Sequence, residues 1–439
     1  MTQRKHLLAL MVAGLLLASC SGSSDSEAKG TTTTSPKAEK PEACVPPSDT
    51  TPVSVTPVAD SETDFDLISF DGTKIRTHWF PNPDTSKPNP TVLMGPGWSL
   101  PGSTQIDGPS LLGSLDIGDL RKAGYNVLTW DPRGFGQSSG TAMVDSPDFE
   151  GRDVQQLIDW VSTLPTVQLD GERDPRMGMV GGSYGGGIQL VSAPNDCRID
   201  ALVPIVAWHS LETSLFKSGL PKLGWASVLA DAAATGSIDD HVKSAIASSK
   251  ATGTVSEADR DWFISRGPGD LVKKVKVPTL FIHGTIDTLF TLDEAVTNYE
   301  ILRSNDVDTA MLWNCDGHGI CLVDSGDKTR ASRAAIDWLN RYVRQDESVD
   351  TGPGFDVIDQ NGTRYTAAEY SPADGEPLSA KGSGTLELKA DGGAGPVVIP
   401  PGHESLLDGL AQSITPGKAT NSVDVSLSSD DREAFVVGA

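Results

Sequence analysis

The stretch that most limits the fold is Met177-Gly178-Met179-Val180, which runs into Gly181-Gly182-Ser183-Tyr184-Gly185 and leaves as the apolar segment Gly186 to Ser192. A strand-length apolar run, a serine between glycines and a helical run, in that order, describe a sharp strand-to-helix turn. Glycine at 181 and 185 lets strand and helix approach where a side chain would clash, and the strained turn lifts the Ser183 hydroxyl clear of the sheet. The same Gly-x-Ser-x-Gly pattern occurs at Gly136-Gln137-Ser138-Ser139-Gly140, in a glycine-rich loop after Asp131-Pro132-Arg133-Gly134 that lacks both flanks. With 45 glycines in the chain a chance match is no surprise, so the flanks favour Ser183 over Ser138. A glycine-rich turn with no chemical role is the bland alternative, to be weighed against the partners below.

Further apolar runs, Thr91 to Met94, Asn126 to Trp130, Ala201 to Val206, Thr279 to His283 and Thr309 to Trp313, alternate with helical stretches, as in a parallel sheet covered on both faces. Ser146-Pro147 reads as a helix start, with Val154, Leu157, Ile158 and Val161 following at helical spacing. From about His209 to Asp270 the alternation stops in an Ala- and Ser-rich stretch without a convincing strand. It is expected to be a helical cap inserted after the strand ending near Trp208, of the kind that roofs a pocket; a few extra helices with no part in recognition are the alternative. After about Asp350 the texture turns to Gly, Pro, Asp and Ser, with alternating runs at Thr385 to Leu388 and Val423 to Leu427 that suggest β structure.

A serine hydroxyl is a weak nucleophile at neutral pH and needs a histidine within reach, itself oriented by a carboxylate. In α/β-hydrolases these follow in the order Ser, acid, His, on loops after later strands. Asp287 follows the strand-ending His283 through Gly284-Thr285-Ile286, and His318 follows the strand ending near Trp313. The rivals are His209 and His283 for the base and Asp293 and Asp316 for the acid. His209 precedes the acid, His283 sits at a strand end, and Asp316 lies too near His318 along the chain to orient it. The oxyanion needs backbone donors. Tyr184 N–H should be one; the other should come from Gly95-Pro96-Gly97-Trp98-Ser99, where Pro96 has no N–H, Trp98 is the choice and Gly97 the alternative. The fold class expected is therefore α/β, an α/β-hydrolase fold with a mostly parallel central sheet, an inserted helical cap and a short β-rich C-terminal segment.

At the other end, Arg4-Lys5-His6 precede an apolar run from Leu7 to Leu17 and then Leu17-Ala18-Ser19-Cys20. The run is short for a bilayer span and reads as a cleaved targeting segment. Small residues before a cysteine give it the form of a bacterial lipoprotein signal, with Cys20 the lipidated terminus; a plain signal peptide is the alternative. The expected organisation is a signal at 1–20, a Ser/Thr/Pro-rich tether at 21–57 too polar to fold, a main domain at 58–345 with its cap at about 209–270, and the β-rich segment at 350–439. Such a chain would be exported and held by its lipid on the extracytoplasmic face of the cell membrane. A net charge of -24 without any Lys/Arg cluster argues against nucleic acid as a partner.

The four remaining cysteines, Cys44, Cys197, Cys315 and Cys321, are an even number in a chain bound for an oxidising compartment. Cys315 with Cys321 would bracket Asp316-Gly317-His318-Gly319 and limit that loop by roughly 2 kcal/mol in the chain-entropy model. Cys44 with Cys197 follows by elimination. No Cys-x-x-Cys pair, His-x-x-x-His pair or phosphate-loop pattern points to a metal or nucleotide cofactor.

Taken together, Phe70-Asp71-Gly72-Thr73-Lys74-Ile75, Asp131-Pro132-Arg133-Gly134-Phe135-Gly136-Gln137-Ser138, Gly181-Gly182-Ser183-Tyr184-Gly185-Gly186, and Asp287 with Gly317-His318-Gly319 resemble the Xaa-Pro dipeptidyl-peptidase-like hydrolases, the group that includes cocaine-esterase-type enzymes. The resemblance covers roughly Asp64 to Tyr342. It implies an acyl-enzyme mechanism, a helical cap and usually a C-terminal β jelly roll. Here Ser422 to Ala439 reads as the approach to such a domain and the chain stops where its strands would start. Either the product is truncated or this branch lacks the domain, which puts peptidase specificity in question.

The first expectation is hydrolysis of an amide or ester in a small-molecule or peptide substrate through an acyl-Ser183 intermediate. A dipeptide-releasing enzyme would need a cap carboxylate for the substrate's α-amino group, for which Glu212 and Asp231 are candidates; an esterase would not. Acyl transfer to an acceptor other than water uses the same triad. A non-catalytic ligand-binding lipoprotein would be marked by a broken triad, and none of the three positions is broken.

Overall fold

The computed structural model describes residues 44–47, 54–108, 115–216, 220–319, 321, 327, 329–359 and 362–370. The chain enters the sheet through β1 (Ser54–Pro57), β2 (Asp64–Ile68) and β3 (Lys74–Phe80). It then alternates: β4 (Thr91–Gly95), α1 (Ile117–Lys122), β5 (Asn126–Trp130), α2 (Glu150–Val161), a small hairpin of β6 (Leu169–Gly171) and β7 (Asp174–Pro175), β8 (Met177–Gly182), α3 (Tyr184–Ser192) and β9 (Ala201–Ile205). Four helices intervene, α4 (Leu211–Leu215), α5 (Leu223–Ala232), α6 (Asp240–Thr252) and α7 (Glu257–Ile264), before β10 (Thr279–Gly284), α8 (Leu292–Ser304), β11 (Thr309–Asn314), α9 (Arg330–Tyr342), β12 (Phe355–Ile358) and β13 (Arg364–Ala367).

Along the main sheet the strands lie in the order β1-β2-β3-β5-β4-β8-β9-β10-β11-β12-β13. From β5 to β12 neighbours run parallel; the pairs at either edge are antiparallel. The chain steps outward from β4 to β5 and returns to place β8 on β4's other side. Strand order thus reverses at β4 and β8, and their carboxyl ends frame the crevice where open α/β sheets bind ligands.

Adjacent residues on the central strands fall into different cores: Leu93, Leu128, Met179 and Met311 pack with Val154 and Leu157 of α2 and Ile188 of α3, and Val92, Val127, Val180 and Leu312 pack with Leu120 of α1 and Trp338 of α9. Because both faces are buried, these strands read as unbroken apolar runs rather than alternating ones. All six such runs in the sequence are strands, and the α/β-hydrolase fold class holds.

The sheet extends past both domain limits read from the sequence. β1 falls within the expected tether, and β12 and β13 fall within the segment expected to stand apart at 350–439. These edge strands carry polar residues on partly exposed positions, so their composition resembles linker. The signal segment with Cys20 and the runs at Thr385 to Leu388 and Val423 to Leu427 lie outside the described residues. Helix α2 begins at Glu150 rather than at Ser146-Pro147. The Ser146 hydroxyl accepts from Asp148 N–H, and its carbonyl from Phe149 and Gly151, closing a turn that leads into the helix. Both expected disulfides, Cys44–Cys197 and Cys315–Cys321, are formed. Among the described residues no helix is long and apolar enough to cross a membrane.

The insert after β9 is helical as expected. Ser210, Asp239 and Ser256 cap α4, α6 and α7 by accepting backbone N–H groups. Its apolar faces, including Leu211, Phe216, Trp225, Val242 and Phe263, form one core with Tyr184 and Trp208 of the body.

Candidate active site

β8 ends at Gly182 and α3 begins at Tyr184, leaving Ser183 alone in the turn with φ 56 and ψ -115. A positive φ in a residue with a Cβ costs on the order of 1–3 kcal/mol and persists only where its surroundings enforce it. Here Ser183 N–H donates to Ile205 O on β9 at 2.8 Å, and Ser183 O accepts from Gly186 and Gly187 at 2.8 and 2.9 Å. The close approach has a measurable reason: a Cβ on Gly181 would lie 2.6 Å from Gly95 O, and one on Gly185 would collide with the same carbonyl.

The structure brings Ser183, His318 and Asp287 into one hydrogen-bonded chain. Ser183 Oγ lies 2.9 Å from His318 Nε2, and His318 Nδ1 donates to Asp287 Oδ2 at 2.7 Å. His318 N–H donates to the same oxygen at 3.1 Å. The other carboxylate oxygen accepts Leu289 and Phe290 N–H at 3.0 and 2.7 Å. Burial pushes the Asp287 carboxyl up, but the charge and hydrogen bonds of His318, with help from His283 and Phe290 N–H, more than offset it and hold the group below its ordinary range. It is an ionised acceptor that fixes the imidazole with its proton on Nδ1 and Nε2 free to accept from the serine. Gly317, with φ 117, lets the disulfide-bracketed loop fold back so that His318 meets Asp287.

For the oxyanion, the structure places the N–H of Tyr184 at the first turn of α3 and those of Gly97 and Trp98 just after β4, across the same crevice. None of the three has an acceptor among the described residues. The Trp98 indole reaches into the cap, where Nε1 donates to Leu229 O at 3.0 Å, and its ring meets Tyr184 edge-on at 5.3 Å. Trp225 and Phe290 set their ring edges against His318 at 5.9 and 5.1 Å and shield it from water.

The rivals have other employment. Ser138 Oγ donates to Asp131 O and accepts Arg76 N–H, tying the loop to β3. His283, fully buried and held neutral by that burial, donates through Nε2 to Phe290 O at 2.7 Å. His209 Nδ1 pairs with Asn298 Oδ1 at 2.8 Å. Asp293 is exposed at the start of α8, and Asp316 is pushed up to about 6 by burial and then by the Asp287 charge. Of the cap acids, Glu212 pairs with Arg260 at 3.0 Å and Asp231 is exposed. Among the described residues no cluster of three or more His, Cys, Asp or Glu side chains is arranged to hold a metal ion.

One group gave no signal in the sequence. Glu150, the first residue of α2, accepts the Met143 and Ser146 N–H groups at 2.6 and 2.9 Å and the Tyr184 hydroxyl at 3.3 Å. Asp145 beside it is fully buried, and neither carboxyl oxygen has a hydrogen-bond partner in the described structure. Burial, joined by the neighbouring Asp153 charge, outweighs the lowering effect of the Met143 N–H and of Arg133 and pushes Glu150 up to about 7; burial and Glu150 push Asp145 well up. This buried pair of acids sits behind the tyrosine that follows Ser183.

Comparison with known proteins gives the same family by an independent route. The family profile described as X-Pro dipeptidyl-peptidase (S15 family) matches residues 71–320. Among solved structures, a CocE/NonD family hydrolase of Staphylococcus aureus aligns with a TM-score of 0.54 at 14% identity, covering 73% of this chain and 57% of that one; at that identity the likeness speaks for the fold. Among curated proteins, a polyketide transferase of Gibberella fujikuroi is 26% identical over 131 residues, 30% of this chain and 36% of that protein. An uncharacterised 31.7 kDa protein of Escherichia coli is 30% identical over 87 residues, 20% of this chain and 29% of that protein. The chain therefore spans little more than half of the structural relative and about a third of the curated ones.

Proposed function

The chain belongs to the X-Pro dipeptidyl-peptidase family S15, and from that premise we propose that it is a serine hydrolase that cleaves an amide or ester through an acyl-Ser183 intermediate. The observation that carries the reading is the chain Ser183–His318–Asp287 at 2.9 and 2.7 Å, on a serine held at φ 56. Ser183 Oγ attacks the carbonyl carbon while His318 Nε2 takes its proton; Asp287 keeps the imidazole oriented and stabilises its positive form. Charge that develops on the carbonyl oxygen is met by Tyr184 N–H and by Trp98 N–H, with Gly97 the alternative second donor. His318 then hands its proton to the leaving group, water enters, and the same histidine acts as base for deacylation.

With p-nitrophenyl acetate as reporter, Ser183→Ala and His318→Ala should abolish turnover and Asp287→Asn should lower kcat on the order of 10³- to 10⁴-fold, while Ser138→Ala keeps it. Retained turnover in Ser183→Ala would overturn the assignment. Export and lipid anchoring through Cys20 form part of the same proposal. The signal-like residues 4–20 and the two disulfides support it. Metabolic labelling with a palmitate analogue should mark the wild type and spare Cys20→Ser; equal labelling of both would refute it.

A further inference from the structure

Above Ser183 the cap roofs a cavity of about 90 Å³ that opens to the surface. Trp98, Tyr184 and Trp208 of the body face Leu215, Leu229 and Phe263 of the cap across it. Its chemistry differs from what the family's usual substrate demands. A dipeptide with a free terminus brings an α-ammonium, and a buried ammonium needs a carboxylate, since an unpaired charge in apolar surroundings is heavily penalised. Among the described residues no Asp or Glu lines the cavity. Glu212 is committed to Arg260, Asp231 is exposed, and Glu294, the buried acid at the cap's base, accepts His209 N–H, Ser210 N–H and the Thr213 hydroxyl. The charged side chain in the wall is Lys222, of the wrong sign, with Nζ donating to the carbonyls of Thr288 and Leu289 at 2.9 and 2.8 Å.

The cavity's placement also says which half of a substrate it takes. Ser183 is in its wall and His318 is not. The leaving group must be next to His318, which protonates it, whereas the acyl half stays on the serine until water arrives. From these facts, and resting on the acyl-serine reading above, we infer that the cap cavity is an acyl-chain site, and that the chain acts on esters of uncharged, apolar carboxylic acids rather than on peptides with a free α-amino group. Each methylene moved from water into such a cavity multiplies kcat/KM about fourfold when the transition state holds it fully buried.

The test uses the full chain with p-nitrophenyl esters of acetate, butyrate, hexanoate and octanoate, beside Gly-Pro p-nitroanilide with free and with acetylated amino terminus. The inference expects kcat/KM to climb about fourfold per methylene until the cavity fills, and the free-amino dipeptide to be the poorest substrate. Ala226→Trp, placed in the wall, should lower the octanoate-to-acetate ratio at least tenfold, and the ratio needs only enough folded enzyme to measure both. A flat or falling chain-length series, or preference for the free-amino over the acetylated dipeptide, overturns the acyl-chain site while leaving acyl-Ser183 intact. Ser183→Ala turning over the same esters would instead overturn the acyl-serine reading beneath it.

Discussion

Ser183 carries a backbone conformation that suits glycine better than serine, so chemistry and stability pull against each other at this position. Ser183→Gly should unfold at a higher temperature than Ser183→Ala, by roughly 1–2 kcal/mol of released strain, with both inactive. Equal melting temperatures would mean that the turn stores no strain. That Ser183, Asp287 and His318 meet was legible because each sits where a strand-ending loop delivers it, and the sequence shows those strand ends. Glu150 was not legible: a glutamate at a helix start reads as an ordinary favourable charge, and only packing reveals that it is buried against Tyr184 with Asp145 alongside. Its titration has the unusual sign. A carboxyl whose folded value is raised binds its proton more tightly folded than unfolded, so stability is full below the ordinary 4.5 and falls as pH rises from there through about 7. Glu150→Gln, which keeps a neutral hydrogen-bonding group, should flatten the fall in melting temperature over that window; an unchanged pH profile would assign the loss to other acids.

The cap is held to the body at the scale of one helix. Lys222, the residue before α5, donates to the carbonyls of Thr288 and Leu289 in the loop carrying the acid, Trp225 meets His318 edge-on, and Leu229 O accepts the Trp98 indole N–H. Lys222→Met removes two charge-assisted bonds while keeping the aliphatic stem, and should speed limited proteolysis within residues 209–270 severalfold without changing cleavage elsewhere. Unaltered proteolysis would show that apolar packing alone seats the helix. The same scale explains which elements the sequence announces. Thr279 to Gly284 is buried from end to end and shows as an apolar run, whereas Arg364 to Ala367 pairs on one side, lies partly exposed and looks like any polar linker. The cap was readable as helical, but the direction of its apolar faces was not, because they answer to Trp98, Tyr184 and Trp208 from distant parts of the chain.

Across the whole molecule, Cys44–Cys197 joins the start of the described chain to the segment after α3 over a sequence separation of 153, against 6 for Cys315–Cys321. In the chain-entropy model the longer loop is worth about 5 kcal/mol and the shorter about 2. Cys44→Ser with Cys197→Ser should therefore lower the thermal midpoint by more than Cys315→Ser with Cys321→Ser, and the reverse order would mean that strain or residual denatured-state structure governs both. The sheet order that puts β4 beside β8 brings the Trp98 loop, Ser183 and the cap around one crevice, and the account stands or falls on whether that crevice activates its serine. The most direct measurement is to treat the full chain with a fluorophosphonate probe and locate the adduct by peptide mass, with Ser183→Ala and Ser138→Ala alongside. One adduct is expected, on the peptide carrying Ser183, lost in Ser183→Ala and kept in Ser138→Ala. Folded protein that takes up no probe, or an adduct that survives Ser183→Ala, would contradict it.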